Sequence, residues 1–192
     1  MGKIIASVSI TFDGILSGPK GDEENMISWA MPGVQDTMID NLGMFQNADA
    51  ILIGHHTYEG FASVWPTQEG DWADAMNKTK KYVVAGKGKL KEVQWGNYSD
   101  TVEVIDDDVE KRIKELKKEL KGDIILSASS KLVQSLLNAG LIDEFHIIVH
   151  PVILGSGNRY LDNIKSRHDL KVMYTKFYEK SGCMLFHYEV IK

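Results

Sequence analysis

The sequence of 192 residues predicts an α/β fold in which a mixed, mostly parallel central sheet has helices on both faces. Short apolar segments rich in Val and Ile alternate with segments in which apolar residues recur at helical spacing. The near-continuous apolar character of the short segments is typical of strands buried on both sides. From residue 169 the pattern changes to two alternating segments around Lys180, Ser181 and Gly182, which predicts an antiparallel hairpin at the sheet edge.

The predicted elements follow one another in a simple order. A first strand, IIASVSI, leads to the helical segment VQDTMIDNLGMF and the strand AILIG. Two helical segments, HTYEGFASVW and WADAMN, precede the strands KYVVAG and VEVI. A Lys- and Glu-rich helix, the strand DIILS, the helix SKLVQSLLNAG and the strand EFHIIVHPVIL complete the alternation. Gly140 is placed to end the last helix, and Pro151 to end the hydrogen bonding of the strand after it.

Composition predicts one domain, residues 1–192, whose main partner is not a nucleic acid. The formal net charge is -5, and Lys and Arg are spread along the chain, which argues against a nucleic-acid surface. The Lys-rich helix, residues 110–121, interleaves Lys with Glu and is expected to be a solvated face. Cys183 is the only cysteine and no apolar run reaches 18 residues, so we expect a cytoplasmic protein with no membrane contact. The histidine spacings predict no metal site.

Three strand ends carry the small and polar residues that nucleotide sites use. The first, after AILIG, opens a helix whose N-terminal amides and dipole favour a phosphate. The second, after KYVV, has glycine and Lys87, which offers a cation. The third, after DIIL, has serines that can cap the next helix. With the glycine-rich bend that follows the strand EFHIIVH, these segments give the predicted cofactor-binding residues Gly54, His55, His56, Thr57, Ala85, Gly86, Lys87, Ser127, Ala128, Ser129, Gly155, Ser156 and Gly157.

Four segments together resemble the dihydrofolate-reductase-like superfamily, in the branch of the C-terminal reductase domain of bacterial bifunctional riboflavin-biosynthesis deaminase-reductases. They are KIIASVSITFDG, ADAILIGHHTYEGF, KYVVAGKGKL and GLIDEFHIIVHPVILGSG, in that order. The resemblance implies a three-layer fold and NADPH as cofactor, with NADH as an alternative. It also shows departures, because His55 stands where relatives usually have arginine, and Ala128-Ser129 stands where they have glycine-serine or glycine-glycine.

On the substrate side the resemblance points to two acids. Asp13 occupies the Ser-x-Asp-Gly position of riboflavin-pathway reductases, although Asp-Gly is also a strong turn pair in its own right. In dihydrofolate reductases an acid follows Trp-x-x-Pro, but here Val34 holds that position and Asp36 is the nearest carboxylate. We take Asp13 and Asp36 as candidate catalytic residues. Phe12, Trp29 and Tyr58 are the candidate aromatic walls of a substrate pocket, although aromatic residues are more often core.

The function expected from the resemblance is reduction of a pyrimidine- or pterin-like molecule, as by 5-amino-6-(5-phosphoribosylamino)uracil reductase. Two alternatives stay open, namely dihydrofolate reductase-type activity and a non-catalytic homodimer that binds a nucleotide or pterin. A homodimer is expected in either case, because the terminal hairpin is rich in apolar residues. The long segment of residues 12–31, with its acidic Asp22, Glu23 and Glu24, is expected to form a loop over the cleft.

Overall fold

The computed structural model describes residues 1–19, 21–22 and 27–192. The acidic residues Glu23 and Glu24 of the expected loop lie outside the described residues. The helices are α1 (Met31–Gln46), α2 (His55–Ala62), α3 (Asp71–Lys78), α4 (Val109–Glu119) and α5 (Ser130–Asn138). The strands are β1 (Ile4–Thr11), β2 (Ile15–Ser17), β3 (Ala50–Gly54), β4 (Lys80–Val84), β5 (Val102–Ile105), β6 (Ile124–Ser127), β7 (Glu144–His150), β8 (Asn158–Arg159), β9 (Leu170–Tyr178) and β10 (Cys183–Val190).

Eight of these strands form one sheet in the order β5-β4-β3-β6-β1-β7-β10-β9. The first six run parallel to one another, whereas β10 pairs antiparallel with both β7 and β9. This confirms the predicted mixed sheet and its terminal hairpin. Because β3, β4, β6 and β1 are parallel, their C-terminal ends meet at one edge, which is where open sheets bind ligands.

Two hydrophobic clusters cover the two faces of the sheet and give the fold three layers. Successive side chains of a strand point to opposite faces, so Ile4 and Ile124 belong to one cluster, and Ile5 and Ile125 to the other. The first cluster includes the buried apolar residues of α4 and α5. The second includes those of α1, α2 and α3. The predicted helices on both faces are therefore confirmed.

Two features of the fold differ from the simplest interpretation of the sequence. Strands β2 and β8 form a separate two-stranded ribbon, which is too short to give a pattern in the sequence. In α4, Glu110 and Lys114 form the expected exposed ion pair at 2.5 Å. Lys117, on the same helix, is instead buried, and its ammonium donates to the carboxylate of Asp143 and to the carbonyl oxygen of Leu141. The Lys-rich helix is therefore only partly a solvated face.

The hairpin of β9 and β10 closes the sheet with its outer strand uncovered. All residues of β9 except Tyr178 are exposed. Gly182 takes the left-handed conformation in the connecting turn, with φ of 71°, and its N–H donates to the carbonyl of Tyr178 at 2.8 Å. Among the helices that the structure describes, none is long and apolar enough to cross a membrane.

Candidate functional site

Cavity A, with a volume of about 420 Å³, lies at the C-terminal ends of β3, β4 and β6. It is bordered by the first residues of α2, α4 and α5. It contains seven of the predicted cofactor-binding residues, brought together from three strand ends that are far apart in the sequence. The residues that line it are Leu16, Gly54, His55, His56, Thr57, Val84, Ala85, Gly86, Val109, Ser129, Ser130, Lys131, Leu132, Ser135 and Asn158.

The start of α2 is fixed by a hydrogen-bond chain across the sheet. The N–H of Gly54 donates to Oγ of Ser129 at 2.9 Å, and the Ser129 hydroxyl donates to Oγ1 of Thr57 at 2.9 Å. A hydroxyl has one hydrogen, so Thr57, as acceptor here, keeps its own to donate. A strand end and a helix start that are separated by 75 residues are thereby held in one rigid arrangement.

The electrostatics of cavity A favour an anion. The helices α2, α4 and α5 all begin at its wall, and none of the three has a side-chain hydrogen bond capping its first turn. Their free N–H groups and helix dipoles place partial positive charge at the cavity. Lys131 adds a full cation. His55 and His56 add imidazoles whose ring centres are 5.8 Å apart, and both contact the carboxylate of Glu59, which reduces their contribution. No carboxylate is among the described residues of the lining.

Lys87 does not belong to this lining. Its ammonium forms an ion pair with Asp107 at 2.9 Å, and its side chain is 79% exposed. The pair joins the loops that follow β4 and β5, whose ends lie side by side because the two strands are parallel. Lys87, which was predicted to offer a cation to the cofactor, therefore lies outside cavity A. The lysine that lines cavity A is Lys131, on the first turn of α5, and its position could have been predicted because it directly follows the strand-end serines.

Cavity B, about 330 Å³ in volume, lies on the other face of the sheet beneath α1. Its wall includes a row of four aromatic rings. The ring centres of Phe45 and Trp72 are 5.2 Å apart, and Trp72 stacks on Trp65 with 6.2 Å between ring centres. Trp65 in turn lies edge-on to Phe61, with 6.3 Å between ring centres. Hydroxyl and amide groups of β1 and α1 complete the cavity. The residues that line it are Ser7, Val8, Ser9, Val34, Thr37, Met38, Asn41, Phe45, Phe61, Trp65, Trp72, Met76, Ser127 and Ala128.

The turn between β6 and α5 contributes residues to both cavities. Ser127 and Ala128 line cavity B, whereas Ser129 lines cavity A. Ala128 and Ser129 both have left-handed backbones, with φ of 48° and 52°. This conformation costs a residue with a Cβ about 1 kcal/mol or more, so it is found where the surrounding structure imposes it. Ser127 and Ala128 were predicted for the cofactor side, and the structure places their side chains on the other side of this turn.

The carboxylate of Asp13 accepts hydrogen bonds from neighbouring loop residues. One carboxylate oxygen accepts from the hydroxyl of Thr11 at 2.6 Å, and the other accepts from the N–H of Gly155 at 2.7 Å. The bond from Thr11, with those from the Gly155 and Leu154 backbones, holds the pKa of Asp13 below its ordinary value. Asp13 lines neither cavity, which favours the turn interpretation over a catalytic one.

The glycine-rich bend of Gly155, Ser156 and Gly157 is also outside both cavities. It passes over β2, so closely that a Cβ on Gly157 would lie 2.4 Å from the carbonyl oxygen of Ser17. The glycine is therefore explained by packing against the chain itself. Only Asn158, the residue after the bend, reaches cavity A, where it exchanges hydrogen bonds with Ser130.

Asp36 faces away from cavity B. Two residues along a helix correspond to about 200° of rotation, so Asp36 lies on the far side of α1 from Val34, which lines the cavity. One Asp36 oxygen is buried with no hydrogen-bond partner. Burial, with the charge of Asp36, raises the pKa of the Cys183 thiol. The candidate acid therefore belongs to the packing of α1 against β10, and it does not line cavity B.

The three candidate aromatic residues are also placed elsewhere. Tyr58 is buried against Trp95, and its hydroxyl donates to the carbonyl of Gln94 at 3.0 Å. Trp29 lies edge-on to His150, with 5.2 Å between ring centres. Phe12 is exposed on the surface after β1. None of the three lines cavity A or cavity B.

The sequence interpretation missed the polar residues of cavity B, although two signals could have revealed them. Ser7 and Ser9 alternate with apolar residues along β1. Val34, Thr37 and Asn41 recur at the three- and four-residue spacing of one helical face.

Comparison with known proteins identifies the family. The model of the RibD C-terminal domain family matches residues 2–183. The uncharacterized protein YyaP of Bacillus subtilis (strain 168) is 24% identical over 186 residues, which cover 97% of this chain and 94% of YyaP. The family match spans nearly the whole sequence, so the chain belongs to the RibD C-terminal domain family.

Solved structures confirm the dihydrofolate-reductase-like fold. A putative riboflavin biosynthesis protein from Shewanella sp. PV-4 superposes with a TM-score of 0.77 and 18% identity, covering 99% of each chain. The deaminase/5-amino-6-(5-phosphoribosylamino)uracil reductase of Thermotoga maritima superposes with a TM-score of 0.70 and 16% identity, covering 99% of this chain and 57% of that one. Dihydrofolate reductase from Enterococcus faecalis, complexed with NADP(H) and RAB-propyl, superposes with a TM-score of 0.64 and 13% identity. The superposition covers 100% of this chain and 98% of that one.

Proposed function

We propose that this member of the RibD C-terminal domain family is a nicotinamide-dependent reductase that binds NADPH in cavity A and a small heterocyclic acceptor in cavity B. The observation that carries the proposal is the turn shared by the two cavities. Ala128 and Ser129 are consecutive residues, yet one lines each cavity. Hydride transfer needs donor and acceptor held in contact, and two ligand cavities lined by consecutive residues of one backbone turn support that arrangement.

The residues of cavity A suit a dinucleotide. Uncapped N–H groups at the starts of α2 and α5 can donate to the two phosphates of a pyrophosphate, and the hydroxyl of Thr57 keeps a hydrogen for the same purpose. Lys131 supplies a cation, and the small residues Ala85 and Gly86 let the ligand lie close to the backbone. The adenosine 2′-phosphate of NADPH would be favoured by this positive lining.

In the proposed reaction the protein orients and encloses the reactants. NADPH, when bound, supplies a hydride. The ring of Trp65 offers a flat surface on which a heterocycle can stack, and Ala128 presents only a methyl group to cavity B. None of the described residues that line cavity B is an acid, so the proton that completes the reduction comes from water.

The described lining of cavity B has no acid, and this bears on the choice between the alternative functions. Dihydrofolate reductase-type activity is the less favoured, because Val34 lines the cavity at the position of the acid and Asp36 points away. A non-catalytic protein that binds a nucleotide or pterin remains a second candidate, since the same lining would bind an acceptor without protonating it. NADH remains an alternative to NADPH. Reduction by NADPH would also fit a reducing compartment, so a cytoplasmic location is part of the proposal.

A titration of NADPH and NADH, followed by nicotinamide fluorescence, tests the proposal. NADPH should bind at micromolar concentration. Lys131→Ala should weaken its binding by about tenfold, which corresponds to about 1.4 kcal/mol for one charged contact. Lys87→Ala is the matched control and should change it by less than about twofold, because a surface ion pair contributes little.

The outcomes separate the alternatives. If neither nucleotide binds, the reductase proposal is wrong. If Lys87→Ala weakens binding more than Lys131→Ala does, the phosphate lies outside cavity A. NADPH oxidation with a heterocyclic acceptor would support catalysis, whereas tight binding of both ligands without turnover would support the non-catalytic alternative.

A further inference from the structure

We propose that the ligand of cavity B is a neutral, unphosphorylated heterocycle, recognised through ring amide groups by Asn41 and Trp72. The inference rests on the proposed function, in which cavity B holds the acceptor. It narrows the acceptor to a chemical class that differs from the phosphoribosylated pyrimidine named for the Thermotoga maritima reductase.

The first argument is charge. The described residues lining cavity B include no Lys, Arg, His, Asp or Glu. A phosphate removed from water without a cation or a set of donors loses its hydration with little in return. Cavity A, in contrast, carries Lys131, two histidines and three helix N-termini. The chain therefore has one cavity built for anions and one that is not.

The second argument is unused hydrogen-bonding capacity. Oδ1 of Asn41 and Nε1 of Trp72 are buried with no hydrogen-bond partner, and both residues line cavity B. A buried donor or acceptor without a partner costs about 1–3 kcal/mol, so such groups usually have one in the functional state. An indole N–H donates, and an amide both donates and accepts. A ring that carries both C=O and N–H groups has what these two side chains lack.

The third argument is rigidity. The carbonyl of Trp65 accepts from the side-chain amide of Asn77 at 2.9 Å, and the same Asn77 accepts from the buried indole of Trp95 at 2.8 Å. Trp65 in turn stacks on Trp72. The aromatic wall is thus fixed to the core before a ligand arrives, and fixed flat surfaces select flat ligands at low entropic cost.

A matched pair of ligands tests the charge argument. The full-length protein is titrated by calorimetry with 5-amino-6-(ribosylamino)uracil and with its 5′-phosphate, in the presence and absence of NADP⁺, which has no hydride to transfer. The unphosphorylated compound should bind at least about tenfold more tightly, because the phosphate finds no cation in the cavity. Met38→Lys, which adds a cation at a cavity residue that is already 38% exposed, should reduce or reverse that preference.

Substitutions in the cavity test the recognition. Asn41→Leu keeps the size of the side chain and removes the amide, so binding of the unphosphorylated compound should fall about tenfold. Trp72→Phe keeps an aromatic ring and removes the N–H, so it should also weaken binding of the unphosphorylated compound about tenfold. Asn47→Leu, beyond the last turn of the same helix α1 and exposed, is the control and should change nothing. NADPH binding should be unaffected in all three variants.

The result also distinguishes this inference from the proposed function. Tighter binding of the phosphate, or no binding of either compound up to about 1 mM, would overturn the inference even where NADPH binds normally. If the protein binds the unphosphorylated compound but not NADPH, the inferred ligand class stands and the proposed reductase function is wrong.

Discussion

His146 is the residue whose burial has the clearest consequence for stability. It lies in β7, is 2% exposed, and has one ring nitrogen with no partner. Burial, with the neighbouring His187, lowers the pKa of His146 to about 4 from an ordinary value of 6.5, and Asp40 opposes this only in part. The imidazole is therefore held neutral in the folded protein.

The sign of the pH dependence follows from proton binding. Between pH 6.5 and about 4 the unfolded chain binds a proton at His146 that the folded chain does not bind, so stability falls as the pH is lowered. Each unit of pKa difference is worth about 1.4 kcal/mol, which gives a loss of about 3 kcal/mol across this window.

Urea unfolding at several pH values checks this prediction. The free energy of unfolding should fall more steeply between pH 6.5 and 4 in the unsubstituted protein than in His146→Gln, which cannot titrate. The control is His56→Gln, on the exposed surface of α2. Equal pH slopes for His146→Gln and the unsubstituted protein would show that His146 is not the group responsible.

At the scale of elements, two glycines of α1 have opposite roles. A Cβ on Gly33 would lie 2.5 Å from Sγ of Cys183 and 2.7 Å from the His150 ring, so Gly33 allows the helix to approach the sheet. A Cβ on Gly43 would have no neighbour within 4 Å. This close approach also places Val34 and Asn41 over cavity B.

The two glycines give a matched pair of alanine variants. Gly33→Ala should lower the free energy of unfolding by about 1–3 kcal/mol, because His150 and Cys183 are buried and cannot move aside. Gly43→Ala should raise it by about 0.5–1 kcal/mol, since glycine is unfavourable inside a helix. Denaturant unfolding measures both. A Gly33→Ala protein as stable as Gly43→Ala would contradict the packing described here.

At the scale of the whole molecule, the terminal hairpin leaves an apolar surface uncovered. Val172 and Phe177 of β9 are each 56% exposed, and Phe186 stacks on Tyr188 at 5.8 Å on β10. An open edge strand and an apolar patch of this kind are features of interfaces. We propose that a second copy of the chain covers this surface, as the sequence interpretation expected.

Light scattering checks the proposed homodimer. The protein should have the mass of two chains at micromolar concentration, and Val172→Lys combined with Phe177→Lys should convert it to a monomer while leaving NADPH binding intact. Lys180→Ala, in the hairpin turn, is the control and should stay dimeric. A strict monomer at high concentration would remove the homodimer proposal.

The sequence by itself determined the fold class, because apolar periodicity and glycine positions are local properties of the chain. Buried strands such as AILIG and DIILS, the terminal hairpin and the helix stop at Gly140 are all found. Seven residues of cavity A could also be predicted from the sequence, because the ends of parallel strands necessarily meet at one edge of a sheet.

Only the tertiary structure decided which side chains face a cavity. Lys87 and Lys131 both follow strand ends, yet Lys87 pairs with Asp107 from a neighbouring loop and Lys131 lines cavity A. Asp36 and Asn41 share α1, but the rotation of that helix turns the acid into the packing and the amide toward cavity B. These choices depend on contacts between residues far apart in the sequence, and local patterns carry no information about such contacts.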